Sequence, residues 1–219
     1  MNCRSWLEQA SIRLLRPPRR GHATVRLVTW DQGVAVAKDY FHAHPLYQYT
    51  VGLWLAWREA RVYRVLEGVP GVPRLLARPH PLCLVIEYVP GRELRELSPG
   101  ELPPSALAQL EQILADLHAR GVVHLDLGHD SNGDLGRDTN LIWSDQGRLY
   151  VLDFAGAVLS FLPGPPGRFL LDVLARHDRL CLPKLKRRFF PEQVTPEDEN
   201  CLARLPSWAF RLFRWMRKL

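Results

Sequence analysis

The chain has 219 residues, 47% of them hydrophobic and 24% charged, enough to bury a sizeable core in one large domain or two small lobes. Its formal net charge of +6 favours anionic partners, and no apolar run reaches the about 18 residues that suggest a membrane-spanning helix. Four cysteines without C-x-x-C spacing argue against zinc or a disulfide framework and for a reduced, cytoplasmic setting, and the charged first twenty residues do not read as a secretory signal.

Met1 to Leu15 predicts a short helix, with Trp6, Leu7, Ala10 and Leu14 at helical spacing, broken by Arg16-Pro17-Pro18-Arg19-Arg20-Gly21. Alternation from Ala23 to Lys38 around Asp31-Gln32-Gly33 predicts two strands, the second Val34-Ala35-Val36-Ala37-Lys38. Asp39 to Gly52, rich in aromatics and carrying His42 and His44, reads as packing and loop rather than a metal site, because the histidines lack ligand spacing. Leu53 to Leu66 predicts a helix with Leu55, Ala56, Ala60, Tyr63 and Leu66 along one stripe and Glu59 within it. Turn chemistry at 68–73 precedes two further strands, Arg74 to Ala77 and Pro81 to Val89, and the second ends at Pro90-Gly91. A short helix is expected over Glu93 to Leu97. Ser105 is expected to cap a long helix through Arg120, stopped by Gly121.

The next stretch carries the chemistry. Val122-Val123 leads into His124-Leu125-Asp126, a polar loop runs to Asn140, and Leu141-Ile142-Trp143 and Leu149-Tyr150-Val151-Leu152 flank a Ser144-Asp145-Gln146-Gly147 turn before Asp153-Phe154-Ala155. Two apolar segments about such a turn predict a β-hairpin, which brings Asn140 and Asp153 out at the same end, with Asp126 on the loop feeding it. Three oxygen-bearing side chains then converge in a manner that suits Mg²⁺.

This order of H-x-D, Asn and D-F-x resembles the catalytic centre of the protein-kinase-like superfamily, and Val34 to Lys38 resembles its V-A-I-K strand. The resemblance implies an α+β, bilobal protein-kinase-like fold: an N-terminal extension over 1–22, a small β-rich N-lobe over 23–89, and a reduced, mainly helical C-lobe over 90–219. It also implies roles. Asp126 orients or deprotonates an acceptor hydroxyl, Asn140 and Asp153 hold the metal, and Lys38 reaches the nucleotide phosphates. Glu59 either pairs with Lys38 or is a solvated helix carboxylate beside Arg58 and Arg61. The backbones of Glu87 and Val89 would meet the adenine edge. ATP and Mg²⁺ are the cofactors so implied.

The sequence departs from that pattern in four places. The glycine-rich phosphate loop is absent, with only Gly21 and Gly33 in the region. Asn140 stands 14 residues after Asp126 where kinases use about five, so Gly128 to Thr139 is inserted, and Asn132 is a rival for the metal. An EF-hand reading of that insertion fails, because Leu135 and Leu141 occupy its sixth and twelfth positions. The insertion is expected to shape acceptor choice, with His129 or Arg137 supplying positive charge. Ala155 replaces the usual glycine and disfavours φ > 0, and 66 residues after Asp153 leave a short C-lobe.

A helix is expected over Phe169 to Leu180 and a last one carrying Trp208, Leu212, Trp215 and Leu219 beside Arg211, Arg214 and Lys218. That last pattern fits an interfacial helix or one packing its aromatics on the C-lobe. The basic runs at 13–20, 184–188 and 211–218 are otherwise solvated faces. Size, lid and tail together look similar to the bacterial lipopolysaccharide-core (Kdo and heptose) kinases, with RIO-type kinases as relatives. The implied activity is phosphorylation of a hydroxyl, with a glycolipid sugar as first acceptor and the inner face of the cytoplasmic membrane as a peripheral partner. A minimal RIO-like Ser/Thr protein kinase and a pseudokinase are the alternatives, and no nucleic-acid partner is expected.

Overall fold

Strands dominate the first part of this chain, where β-branched residues alternate with small ones on either side of a tight turn. The computed structural model describes residues 2–18, 22–31, 33–41, 44–127, 135, 139–160 and 164–203, with the side chains of residues 165, 166, 168 and 170 also outside that description. The chain divides into two units: residues 1–68 with 73–89, and residues 69–72 with 90–219.

The first unit opens with helix α1 (Cys3–Ala10), whose N-terminus is capped by the Asn2 side chain accepting from the Arg4 amide. The helix ends five residues earlier than its spacing suggests. Strand β1 (Ser11–Arg16) follows and pairs with β2 (Thr24–Trp30), leaving Ile12, Leu14 and Leu15 exposed. Leu14 therefore had no helical core to face, and residues 3–16, expected as an extension, are part of this unit. Strand β3 (Gly33–Asp39) pairs with β2 in unbroken register from Trp30↔Gly33 to Thr24↔Asp39. With β4 (Leu75–His80) and β5 (Cys83–Glu87) they form an antiparallel sheet in the order β1-β2-β3-β5-β4.

Part of the stretch read as loop is helical: a short helix α2 (Pro45–Tyr47) and a π-helical turn (Gln48–Gly52) run straight into α3 (Leu53–Val65). Helix α3 packs on β4 and β5 and buries Ala56, Glu59, Ala60, Val62 and Tyr63. Small residues at 56 and 60 let the helix approach the sheet closely.

In the second unit, β6 (Gly91–Glu93) replaces the start of the short helix expected after Pro90. It leads into a 3₁₀ turn (Leu94–Glu96). Helix α4 (Ser105–Ala119) buries Leu110, Ile113, Leu114 and Leu117. Its cap position belongs to Pro104, which makes no side-chain cap bond, so Ser105 begins the helix without capping it. Strand β7 (Val122–Val123) follows, then the hairpin of β8 (Leu141–Ser144) and β9 (Leu149–Val151), with β6 added along β8. Strand β10 (Val158–Leu159) pairs with β7. Helices α5 (Pro165–Arg179), α6 (Cys181–Phe189) and α7 (Pro196–Ala203) complete the described part.

Gly71 belongs to this unit and is there by necessity. Its φ is +83°, and a Cβ would run into the Ile113 side chain and come within 2.7 Å of the Leu149 carbonyl. The Gly71 carbonyl meanwhile accepts the Val151 amide at 2.8 Å. The basic run at 184–188, read as solvated, is largely engaged. Lys184 is buried, Lys186 pairs with Asp198 at 3.0 Å, and Arg188 donates to the Arg95 carbonyl at 3.1 Å. The expected last helix, from Trp208 to Leu219, lies outside the described residues, as do His42, Asn132, His129 and Arg137.

Candidate functional site

Each of the two units carries some of the residues singled out above. In the first, Lys38 sits near the end of β3, between Val25 of β2 and Leu84 of β5. A lysine at a central-strand position is almost wholly enclosed, at 5% exposure, and needs a counter-charge. Glu59, fully buried on α3, supplies it: Lys38 Nζ donates to Glu59 Oε1 at 2.5 Å. Of the two readings of Glu59, the solvated carboxylate is therefore excluded. The pair fixes an ammonium at the end of a rigid strand, which is how a cation is held ready for phosphate oxygens.

Glu87 ends β5. Its amide donates to the Arg74 carbonyl at 2.9 Å, and its carboxylate accepts from the Arg74 amide at 3.0 Å and from Nε at 3.2 Å. The Glu87 amide is thus committed, so any ligand edge would meet its carbonyl and the backbone of the buried Val89.

In the second unit the hairpin acts as expected. Leu141 pairs with Val151, and the Leu152 amide donates to the Asn140 carbonyl at 2.8 Å, which sets Asn140 and Asp153 at the same open end. Asn140 Nδ2 donates to the Asp126 carbonyl at 2.6 Å, and Gly156, in the turn after Asp153, lies beside the Asp126 side chain. Asp126, Asn140 and Asp153 are gathered in one region, each partly exposed.

Two of the supporting residues sit in left-handed backbone. Leu125 has φ +62° and Asp153 φ +60°. For a leucine this conformation is unusual, and such strain persists only where surroundings enforce it. Asp153 caps the 3₁₀ turn Phe154–Gly156 through its side chain, which accepts the Ala155 amide. Ala155 itself has no positive φ, so alanine in place of glycine carries no conformational cost here.

His124 locks this turn. Its Nδ1 accepts the Asp126 amide at 3.2 Å, which leaves Nε2 to donate to the Leu152 carbonyl at 2.9 Å, and its ring meets Phe154 edge-on at 4.9 Å. The two contacts assign the neutral Nε2–H tautomer.

Sequence reasoning missed Asp178. This fully buried carboxylate on α5 accepts the amides of His124 at 2.7 Å and Leu125 at 2.8 Å, with His118 Nε2 at 3.1 Å. A signal existed: Leu171, Leu174 and Ala175, which pack with Val123 and Leu125, put residue 178 on the same helical face. An aspartate on an apolar stripe marks a buried acceptor. Around it, burial holds His177 down to about 4 and pushes the Cys181 thiol up to about 12.

Asn140 spends its amide nitrogen on the Asp126 carbonyl, which leaves its Oδ1 as the acceptor of that side chain. With the Asp153 carboxylate this makes a hard-oxygen donor set of the kind Mg²⁺ takes.

No protein-family model matches the sequence. Over 114 residues the chain is 34% identical to the serine/threonine-protein kinase pkn2 of Myxococcus xanthus, which covers 46% of this chain and 14% of that protein. Its fold matches the crystal structure of the Rio2 kinase from Chaetomium thermophilum, with TM-score 0.59 and 16% identity over 90% of this chain. The ADP/Mg²⁺-phosphoaspartate complex of that Rio2 kinase matches with TM-score 0.56 and 17% identity, also over 90% of this chain. The fold is that of the protein kinases. The chain spans 63% and 62% of the two Rio2 chains and 14% of pkn2, so the likeness covers only part of their length. Among the described residues, no helix is long and apolar enough to cross a membrane.

Proposed function

We propose that this chain is an ATP- and Mg²⁺-dependent phosphotransferase acting on a hydroxyl group. The observation that carries this reading is the gathering of Asp126, Asn140 and Asp153 on a backbone fixed by His124 and Asp178. The buried Lys38–Glu59 pair supports it.

In this reading Asp126 accepts the proton of the attacking hydroxyl and aims its oxygen. Asn140 and Asp153 would hold Mg²⁺, which when bound neutralises charge on the phosphate oxygens. Lys38, kept charged and oriented by Glu59, binds the phosphates. The carbonyl of Glu87 and the backbone of Val89 would receive the base. Positioning and charge stabilisation supply most of the rate in such transfers, so strained and clamped residues around Asp126 are in keeping with the role.

A protein serine or threonine is the acceptor that the kinship with Rio2 and pkn2 favours. A glycolipid sugar at an anionic membrane is the second reading, resting on the basic and aromatic residues 208–219. Incubation of the purified protein with labelled ATP and Mg²⁺, against a general protein substrate and against lipid-linked sugars, tests both. Label in neither acceptor, nor in the protein itself, would leave a nucleotide-binding module; label lost in Asp153→Asn supports transfer.

A further inference from the structure

The first unit has a cavity that phosphoryl transfer does not use. It measures about 260 Å³ and lies between the last turns of α3 and strand β4, lined by Tyr63, Arg64, Glu67, Arg74, Leu75 and Arg78 among others. Three guanidinium groups thus border one small space.

Their commitments differ. Arg74 is taken, donating from Nε and Nη2 to the Glu87 carboxylate at 3.2 and 3.3 Å. Arg64 is exposed, with no side-chain hydrogen bond or ion pair among the described residues. Arg78 spends Nη2 on the Pro81 carbonyl at 2.8 Å, but its Nε is buried and unmatched. Burial lowers the Arg78 pKa from its ordinary value, and the neighbouring charge of Arg64 lowers it further. Two like charges at one cavity call for an explanation.

We propose that this cavity binds a compact oxyanion, inorganic phosphate or a phosphomonoester, between Arg64 and Arg78. Guanidinium groups present paired N–H donors that match phosphate oxygens, and a dianion relieves the repulsion between them. At about 260 Å³ the cavity falls below the about 300–1,000 Å³ of drug-sized ligand pockets, which favours a small anion. An anion joining Arg64 of α3 to Arg78 of β4 also steadies the helix that presents Glu59 to Lys38.

Thermal unfolding of the full chain in EDTA, comparing sodium phosphate with sodium chloride at equal ionic strength, tests the site without nucleotide or metal. The outcome is therefore independent of phosphoryl transfer. A saturable rise of the midpoint with phosphate is expected, with the apparent Kd weakened about tenfold or more in Arg64→Gln and in Arg78→Gln. Arg64→Gln removes an exposed, unpartnered side chain and leaves the fold intact. N-acetyl-phosphoserine amide in place of phosphate separates the sources: tighter binding assigns a phosphorylated side chain, weaker binding the free ion. No saturable rise over chloride, or a rise unchanged in either variant, overturns the proposal.

Discussion

The carboxylate of Asp178 accepts the backbone amide of His124 at 2.7 Å, so a helix 54 residues downstream fixes the loop that carries Asp126. A second bond, from the Leu125 amide at 2.8 Å, holds the residue whose backbone is left-handed. The strain at Leu125 costs about 1–3 kcal/mol, and a charge-assisted bond on either side of that peptide is of the size needed to offset it.

Asp178→Asn keeps the shape but offers one acceptor oxygen where two amides and His118 now converge. A buried amide is left unmatched, and unfolding in urea should show a loss of about 1–3 kcal/mol. An unchanged midpoint would mean that the clamp does not hold the loop.

Lys38→Met should cost about 3–5 kcal/mol, because it strands the Glu59 carboxylate in a buried site. Lys38→Met with Glu59→Leu should recover much of that loss in the same denaturation assay. If the double variant is as unstable as the sum of the singles, the two side chains are not coupled.

Asp153→Asn and Asp126→Asn should each reduce phosphate transfer on the order of a hundredfold or more while leaving the unfolding midpoint within a few degrees. Transfer that survives both changes would remove the assignment of roles. In the Asp153 variant the loss should be accompanied by a weaker dependence of ATP binding on Mg²⁺.

His177 is held at about 4, against an ordinary 6.5, because burial disfavours its charged form; Lys184 adds to this and Asp178 opposes it. The unfolded chain takes that proton near pH 6.5 and the folded chain only near pH 4. Stability from this group is therefore complete above pH 6.5 and drains away as the pH falls toward 4, by about 3 kcal/mol in all. His177→Gln should flatten the fall of the unfolding midpoint between pH 6.5 and 4.5. A slope unaltered by that change would assign the acid sensitivity elsewhere.

Alkylation with iodoacetamide at neutral pH should mark Cys201, which is exposed, well before Cys83 and Cys181, which burial keeps as thiols. Peptide mapping after a short exposure reads the order. Early labelling of Cys181 would contradict its enclosure against the Leu127 carbonyl.

Local patterns were legible and distant ones were not. The hairpin from Leu141 to Val151 could be read because apolar alternation, a Gly147 turn and the flanking Asn140 and Asp153 all lie within fifteen residues. Helices α3 and α4 followed from their stripes. Strand β1 was misread because Leu14 fits a helical spacing equally well, and only pairing with Arg26 decides the matter. Lys184 looked like part of a solvated basic run, yet it is buried, and no neighbour in sequence announces that. Asp178 is the same case in reverse: its partners lie more than fifty residues away. Burial and long-range partners come from packing, which periodicity alone cannot supply.

The backbone leaves its first unit at residue 68, returns at 73 and leaves again at 89. Dissection by gene truncation is constrained accordingly. A clone that starts at residue 90 lacks Gly71, so the Val151 amide loses its acceptor and Ile113 loses the surface it lies against. Expressing the helical half alone therefore requires grafting the Val69–Val72 tetrapeptide onto it, for instance through a circular permutant, rather than making a single cut.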